Sequence, residues 1–597
     1  MNRIPTLILA MFATALAGCV NAPSTPPAVK SASMPVIAFT EYRGANDLLT
    51  GGLGLDGLRS TTPPPFEQAQ APTAAELRRR ALWSNFRGIA DLRPEGGYGS
   101  HYADLSPVPG REASVLLTLP GATQPHRVLA QIPDAFDANA RCLVVAVASG
   151  SRGVYGAVAL ASAWGLPRGC AVVHTDKAAG TDYLDADAPQ ERVTLDGKRS
   201  TVTEAQAAFT AKDGFGLNRI LTKHANSGDN PEADWGRHLK QAAQFGLSAL
   251  DAALPAQAPF TFANTRIIAM GLSNGGGAVL RAIEEGQAED GEWLDAALAL
   301  EPNVFPGEGG RPLFDYGSEA ALWMPCALLD ARFDSLPLVR PGGVAPPALV
   351  ARCASLKAAG MIESEDTPAQ AREALAHLHA RGWEGAAIEA GALNIAFDLW
   401  RSFLVTYAAA YSRTGTDPMP CGYGFAALDP QGTPRATTPA ERVAWWSDAS
   451  GIPPGAGVAI TDAQAASNPS DPAWPGLTCL RALWEGDNDA SRTLHASVEA
   501  TRAKLPRKGV PLTLIHGHDD GLIPVAFSGR AYAQWAKAHG RELDYLELPN
   551  AQHFDAFIAL PAWQNRYQPM LKTAFAALDD IHARLTASGS SIGKATH

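Results

Sequence analysis

Thr265-Arg-Ile-Ile-Ala-Met-Gly-Leu-Ser-Asn-Gly-Gly-Gly277 is the stretch that decides the fold. Its apolar, β-branched beginning predicts a strand, and residues 277–285 favour a helix, so Ser273 lies at the apex of a sharp turn. Such a turn strains the serine backbone and needs neighbours without a Cβ atom. A short G-x-S-x-G pattern also occurs in turns that merely join a strand to a helix, but the strand–turn–helix context favours a nucleophile elbow.

Strand and helix signals alternate on both sides of this turn. The predicted strands are residues 113–119, 127–132, 143–148, 171–175, 267–270, 296–301, 512–516 and 544–548. The predicted helices are residues 74–86, 157–164, 234–254, 368–381, 394–412 and 569–586. The first two strands are expected to form a hairpin, and residues 176–200 a long polar loop. This alternation predicts an α/β class with a mostly parallel sheet and helices on both faces. Together with the elbow at Ser273 it predicts the α/β-hydrolase fold with a large inserted cap.

The pattern changes after residue 301. Pro- and Gly-rich loops, helices and tryptophans replace the strand signals up to about residue 507, which predicts a large cap domain inserted into the sheet domain. The expected organisation is a signal peptide (1–18), a lipidated cysteine with its tether (19–35), an N-terminal extension (36–110), the first part of the hydrolase core (111–301), the cap (302–507) and the second part of the core (508–590).

The N-terminus has the features of an export signal. Arg3 precedes the apolar residues 4–16, a run too short for a stable membrane anchor. The ending Leu16-Ala-Gly-Cys19 is similar to a bacterial lipobox, in which Cys19 would carry the lipid; an ordinary cleaved signal containing a cysteine is the alternative. We therefore expect an exported protein, either a periplasmic or outer-membrane lipoprotein or a secreted one, with membrane contact only through the lipid.

Charge and cysteine content narrow the partners. The net charge is −11 and no basic patch stands out, so nucleic acid and anionic membrane surfaces are poor candidates. Six cysteines remain after Cys19, and an even number in an exported chain indicates disulfides. No cysteine or histidine spacing indicates a metal site, and we expect no cofactor. Connectivity does not follow from the sequence, and we adopt sequential pairing as a hypothesis, with free buried thiols as the alternative.

A serine nucleophile needs a base and an acid that orients the base. In α/β-hydrolases these follow the serine in the order acid, then histidine. The loop after residues 512–516 contains Asp519 and Asp520, and His553 follows the last predicted strand. We predict Ser273, Asp520 and His553 as the catalytic residues, with Asp519 as the rival acid. A turn aspartate and a surface-loop histidine are the structural alternatives.

The transition state also needs donors for the oxyanion. One is the backbone N–H of Asn274, the residue after the nucleophile, and the second is expected from Ser149, Gly150 or Ser151, after the strand at 143–148. Arg152 is a candidate for binding a substrate carboxylate. A surface arginine paired with an acidic residue is at least as good an interpretation of Arg152.

Several long strings resemble the bacterial D-(−)-3-hydroxybutyrate oligomer hydrolases. They are Ser149-Gly-Ser-Arg-Gly-Val-Tyr-Gly156, Trp164-Gly-Leu-Pro-Arg-Gly-Cys-Ala171, Thr175-Asp-Lys177, Asn230-Pro-Glu-Ala-Asp-Trp-Gly236 and Gly271-Leu-Ser-Asn-Gly-Gly276. The resemblance covers most of the chain after about residue 40. It implies a serine esterase that cleaves short (R)-3-hydroxybutyrate oligomers to monomers, downstream of a poly(3-hydroxybutyrate) depolymerase, with Ser273 as nucleophile. The lipobox departs from the family, whose members are usually described as secreted or intracellular.

Two other functions remain open at this point. A more distant similarity to tannases and feruloyl esterases allows aromatic esters as substrates, because the predicted cap contains several tryptophans. A non-catalytic lipoprotein that binds the polymer on a hydrolase scaffold is the third hypothesis. The third is disfavoured because nucleophile, base and acid are all present, whereas such scaffolds typically lose at least one of them.

Overall fold

The structure is a computed structural model that describes residues 37–99, 105–211, 215–285, 293–336, 338–415, 418–561 and 563–587. The predicted signal peptide, Cys19 and the tether lie outside the described residues. Among the helices that are described, none has both the length and the apolar character needed to cross a membrane.

The strands of the described residues are numbered here in chain order. They are β1 (Thr40–Tyr42), β2 (Gly110–Leu117), β3 (His126–Pro133), β4 (Cys142–Val147), β5 (Ala171–Thr175), β6 (Tyr183–Asp185), β7 (Glu191–Val193), β8 (Arg199–Thr201), β9 (Ile220–Thr222), β10 (Arg266–Leu272), β11 (Ala296–Leu300), β12 (Tyr423–Leu428), β13 (Pro434–Arg435), β14 (Ala459–Asp462), β15 (Leu512–Gly517) and β16 (Asp544–Leu548).

The α-helices follow the same numbering. They are α1 (Gly54–Arg59), α2 (Ala74–Ile89), α3 (Ala163–Gly165), α4 (Lys223–Asn226), α5 (Trp235–Ala253), α6 (Asn274–Ala282), α7 (Leu313–Ala327), α8 (Pro347–Ala358), α9 (Thr367–Ala380), α10 (Gly385–Ala390), α11 (Ala392–Ala396), α12 (Leu399–Ser412), α13 (Pro439–Asp448), α14 (Trp474–Glu485), α15 (Asp489–Glu499), α16 (Gly529–Ala538) and α17 (Leu571–Ala587).

A nine-stranded sheet organises the molecule, in the order β1-β2-β3-β5-β4-β10-β11-β15-β16. Within this order, the six neighbouring strands β5, β4, β10, β11, β15 and β16 are paired in parallel. The strands β1, β2 and β3 add antiparallel pairings at one edge, and β2 and β3 form the expected hairpin. The α/β-hydrolase fold predicted from the sequence is confirmed, and the carboxyl ends of β4, β10, β11, β15 and β16 meet at one edge.

Alternate residues of the buried strands face the two sides of the sheet, as strand geometry requires. In β4, Val144 and Ala146 pack in the core with α2 and α17, whereas Leu143 and Val145 pack in the core with α5 and α6. Each face is therefore covered by helices, and the central strands are apolar throughout.

Three local predictions differ from the structure. The expected loop at 176–200 contains β6, β7 and most of β8. Its backbone groups form hydrogen bonds to other strands instead of to solvent, and β6, for example, pairs with β9. The predicted helix at 157–164 begins with a π-helical turn at Val158–Ser162 and only then continues as α3. The predicted helix at 394–412 is broken into α11 and α12, since Asp398 adopts a left-handed backbone conformation with φ of 52°.

The segment between β11 and β15 forms the region over the carboxyl edge of the sheet. It contains α7 to α15 and a small sheet in the order β13-β12-β14. Its hydrophobic core also includes Tyr183, Ile220 and Ala225, which precede the nucleophile strand in the sequence. We call the segment 302–507 the cap; its boundaries remain a prediction.

Three disulfides pair the cysteines sequentially, as hypothesised: Cys142–Cys170, Cys326–Cys353 and Cys421–Cys479. The first joins the beginning of β4 to the residue before β5. The other two lie in the cap. The cysteines therefore stabilise the sheet and the cap separately.

Candidate active site

The turn between β10 and α6 has the geometry of a nucleophile elbow. Ser273 has φ of 59° and ψ of −123°, outside the regions that serine usually adopts. A Cβ atom on Gly271 would lie 2.5 Å from the carbonyl oxygen of Gly275, and one on Gly275 would lie 2.6 Å from the carbonyl oxygen of Val147. The glycines are therefore required because the turn, α6 and the end of β4 approach one another closely.

Ser273, His553 and Asp520 form one hydrogen-bonded chain. The Ser273 hydroxyl lies 3.1 Å from Nε2 of His553, and Nδ1–H of His553 donates to Oδ2 of Asp520 at 2.7 Å. Asp520 follows β15 and His553 follows β16, so the sheet places both loops beside the elbow. The sequence-predicted trio is thus brought together, with Asp520 rather than Asp519 in contact with the imidazole.

Backbone donors fix the Asp520 carboxylate. Its Oδ1 accepts hydrogen bonds from the N–H groups of Leu522 and Ile523, at 2.8 and 2.7 Å. Burial alone would raise the pKa of Asp520, but the charge of His553 and the hydrogen bonds from His516 and His553 outweigh burial and hold this pKa well below its usual value. Asp520 is therefore the ionised partner of the imidazole.

Glu301 is a second carboxylate beside the same imidazole, and the sequence analysis did not identify it. Its Oε2 lies 3.0 Å from Nδ1 of His553. Burial raises the pKa of Glu301 to about 8, and the nearby His553 offsets this only in part. Burial disfavours a charged His553, but the charge of Asp520 outweighs burial and raises the pKa of His553 above its usual value, and Glu301 adds to this rise when it is ionised.

The position of Glu301 in the sequence is a signal by which it could be identified. Glu301 directly follows β11, and the ends of parallel strands are where catalytic groups of this fold lie. The order of residues in this fold points to an acid in the loop after residues 512–516, which already contains Asp519 and Asp520, so the sequence indicated no need for a second acid. Glu301, Asp520 and His553 also have ligand atoms within 4.8 Å of one another. A cation bound there would replace the hydrogen bond between His553 and Asp520.

Comparisons with known proteins identify the family of the chain. A family model described as 3HB-oligomer hydrolase matches residues 14–592. The chain belongs to this family. It is 38% identical over 616 residues to the D-(−)-3-hydroxybutyrate oligomer hydrolase of Paracidovorax citrulli, covering 91% of this chain and 86% of that protein. It is 35% identical over 657 residues to the protein of that name from Cupriavidus metallidurans, covering 98% and 89%.

The family resemblance inferred from the sequence strings is thereby confirmed, and the chain is a carboxylic ester hydrolase. Among solved structures it is similar to an esterase from Aspergillus oryzae, with 12% identity and a TM-score of 0.32 over 76% of this chain and 75% of that chain.

The candidate oxyanion donors of this hydrolase lie at the elbow and after β4. Asn274 is the first residue of α6, and its N–H has no backbone acceptor within the helix. The N–H of Ser149 donates to the carbonyl oxygen of Gly156 at 3.1 Å. Ser149 is therefore not free to serve as the second donor, which corrects one of the three expectations. Gly150 and Ser151 remain the candidates on this loop.

Arg152 contacts the N-terminal segment instead of the triad. Its guanidinium donates to the carbonyl oxygen of Gly88, near the end of α2, at 3.2 Å. A Cβ atom on Gly88 would lie 2.4 Å from that guanidinium, so the two segments are closely packed. This packing gives Arg152 a structural role, although its partner is a backbone carbonyl oxygen and not the acidic residue that the structural interpretation expects.

The cap reaches the residue after the nucleophile. The side-chain Nδ2 of Asn274 donates to the hydroxyl of Tyr407, on α12, at 2.6 Å. The Nδ2 of Asn303, in turn, donates to Oδ1 of Asn274 at 2.9 Å. Ser273 and His553 are each only 6% exposed. The cap therefore contacts the candidate site and holds the side chain of Asn274, the first candidate oxyanion residue.

Proposed function

We propose that the protein hydrolyses oligomers of (R)-3-hydroxybutyrate, including dimers and trimers, to 3-hydroxybutyrate monomers. The observation that carries this proposal is the hydrogen-bonded chain Asp520–His553–Ser273 in a member of the 3HB-oligomer hydrolase family. Two relatives at 38% and 35% identity carry the name D-(−)-3-hydroxybutyrate oligomer hydrolase. Oligomers of this kind are products of polymer cleavage, so the reaction would follow that of a poly(3-hydroxybutyrate) depolymerase.

In the proposed mechanism Ser273 attacks the ester carbonyl while His553 takes the serine proton. Asp520 stabilises the imidazolium, and the N–H of Asn274 together with an N–H of the loop after β4 stabilises the oxyanion. The tetrahedral intermediate collapses, the C–O bond to the alcohol unit breaks, and His553 returns the proton to that hydroxyl. Water then attacks the acyl-enzyme in the same way and releases the acid, so the mechanism uses no cofactor.

Monomer release from purified (R)-3-hydroxybutyrate dimer and trimer tests the proposal, with wild type beside Ser273→Ala. Turnover that vanishes in a folded Ser273→Ala protein is the expected result. A folded wild type that cleaves a nitrophenyl ester but neither oligomer would keep the mechanism and reject the substrate. Methyl gallate, assayed in parallel, distinguishes an aromatic esterase. Ester hydrolysis retained by Ser273→Ala would reject the nucleophile.

We also propose that the protein is exported and lipidated at Cys19. The Leu16-Ala-Gly-Cys19 string after an apolar run supports lipidation. The three disulfides support an oxidising compartment. Expression in a bacterium with radiolabelled palmitate tests this, since Cys19→Ala should remove the label. Equal labelling of both proteins would contradict it.

A further inference from the structure

A buried lysine lies under the loop that follows β4. The ammonium of Lys177 donates to the carbonyl oxygens of Ala148 and Gly150, at 2.7 and 2.5 Å. Lys177 is 1% exposed, and its backbone φ of 49° lies in the left-handed region. A strained, fully buried cation with two carbonyl acceptors is unusual, because burial of a charge is unfavourable unless it is well paired. Lys177 belongs to one of the family strings, yet the reaction itself does not use it.

These carbonyl contacts determine where the loop N–H groups point. In a trans peptide the N–H is directed opposite to the C=O of the same peptide unit. By holding the carbonyl of Gly150, Lys177 directs the N–H of Ser151 to the other side of the loop. Within the described residues, the N–H groups of Gly150 and Ser151 have no protein acceptor. They are the groups left to bind an oxyanion.

A second buried chain anchors the side chain of Ser151. Its hydroxyl lies 2.6 Å from Nδ1 of His224, and Nε2 of His224 lies 2.5 Å from Oε1 of Glu232. All three residues are at most 2% exposed. The trio has the chemistry of a catalytic triad, but a substrate cannot reach the Ser151 hydroxyl. Its hydroxyl therefore serves as an anchor for the loop.

The same group of residues approaches the other oxyanion donor. The rings of His224 and Tyr407 pack edge to face with centroids 4.9 Å apart. The hydroxyl of Tyr407 accepts the hydrogen bond from the Asn274 side chain. Hydrogen bonds and this one ring contact thus link the two sides of the candidate oxyanion hole.

We propose that Lys177, together with the Ser151–His224–Glu232 chain, positions the loop after β4 so that its free N–H groups form the second half of the oxyanion hole. The inference rests on the proposed serine mechanism. Lys177, His224 and Glu232 are positioning residues, because they act on the oxyanion only through the loop backbone. A misplaced donor weakens binding of the transition state more than binding of the ester itself.

Lys177→Met tests the inference, because methionine keeps most of the volume and removes the ammonium. Three quantities are measured: kcat and KM for a nitrophenyl ester, and the affinity for a trifluoromethyl ketone, which forms a hemiketal oxyanion on the serine. We expect kcat to fall by about 10- to 100-fold at nearly constant KM, with a similar loss of ketone affinity; loss of a complete donor elsewhere costs about 100- to 1000-fold. Lys198→Met, at an exposed lysine, is the matched control and should be unchanged.

A folded Lys177→Met enzyme with wild-type kcat would overturn the inference, as would a loss of kcat with undiminished ketone affinity. If Lys177→Met does not fold, Ser151→Ala provides the same test, since it removes only the anchoring hydroxyl and should lower kcat and ketone affinity in parallel. Ser273→Ala is assayed beside them. Activity that survives in Ser273→Ala would mean that the serine mechanism has failed, which is distinguishable from failure of the positioning role alone.

Discussion

Glu301 lies beside His553, with its Oε2 3.0 Å from the Nδ1 atom that donates to Asp520 at 2.7 Å. Burial disfavours the charge of Glu301, and the nearby charge of Asp520 adds to this effect, so that the pKa values of the two carboxylates differ. The pKa of Glu301 is raised to about 8 and that of Asp520 is held low. At neutral pH Asp520 therefore carries the charge and Glu301 a proton.

This division of charge predicts different effects of removing the two carboxylates. Asp520→Asn should lower kcat by about three to four orders of magnitude, because the imidazole loses the acceptor that fixes its tautomer and stabilises its charge. Glu301→Gln should lower kcat by about tenfold at most, because glutamine imitates a neutral carboxyl group. Nitrophenyl ester kinetics at neutral pH measure both. A larger loss in Glu301→Gln than in Asp520→Asn would make Glu301 the catalytic acid.

Glu301 should also make stability depend on pH. Its pKa rises from 4.5 in the unfolded chain to about 8 in the folded protein, so the folded state binds the proton more tightly. The resulting stabilisation is fully present below about pH 4.5 and is lost as the pH rises through about 8. In Glu301→Gln this loss is absent, so the urea midpoint of the variant should rise relative to that of wild type as the pH increases over that interval. Glu308→Gln, at an exposed residue, is the control. A difference in urea midpoint between Glu301→Gln and wild type that stays constant with pH would refute the prediction.

The sequence was sufficient for the parts of the site that local patterns encode. The elbow at Ser273 needs particular glycines, and Asp520 and His553 each follow a strand in the order that the fold imposes. Each of these three residues therefore has a signal in its neighbouring sequence that can be recognised without a structure. The sheet was predictable for the same reason, because buried parallel strands are continuous apolar runs.

The missed features are contacts between distant segments. His224 approaches Ser151 across 73 positions, and Glu301 approaches His553 across the sheet, so no local periodicity indicates either pair. The polarity of residues 176–200 predicts a loop, but Asp182 in this segment is buried in an ion pair with Arg127 at 2.8 Å. Composition reports the polarity of a segment, whereas the partners that permit its burial lie elsewhere in the chain.

The contact between Tyr407 and Asn274 predicts that the cap contributes to catalysis. Tyr407→Phe leaves the buried Nδ2 of Asn274 without its acceptor at 2.6 Å, which costs about 1–3 kcal/mol. We expect kcat to fall by about tenfold at similar KM, because the backbone N–H of Asn274 is the proposed oxyanion donor. Tyr316→Phe is the matched control, since the buried Tyr316 hydroxyl has no hydrogen-bond partner in the described part of the chain. Equal kcat and KM values of the two variants would show that this contact of the cap does not contribute to catalysis.

The close approach of the elbow to β4 predicts the effect of one added methyl group. In Gly275→Ala the Cβ atom would lie 2.6 Å from the carbonyl oxygen of Val147, so either the elbow or the end of β4 must move. We expect a loss of about 1–3 kcal/mol in stability, and a larger relative loss of kcat than of substrate affinity, because the Ser273 hydroxyl and the loop after β4 would separate. Gly385→Ala is the control, since its Cβ meets nothing within 4 Å at the start of α10. Urea unfolding and ester kinetics, measured on both variants, test this prediction. A Gly275→Ala protein as stable and as active as Gly385→Ala would show that the elbow tolerates the methyl group.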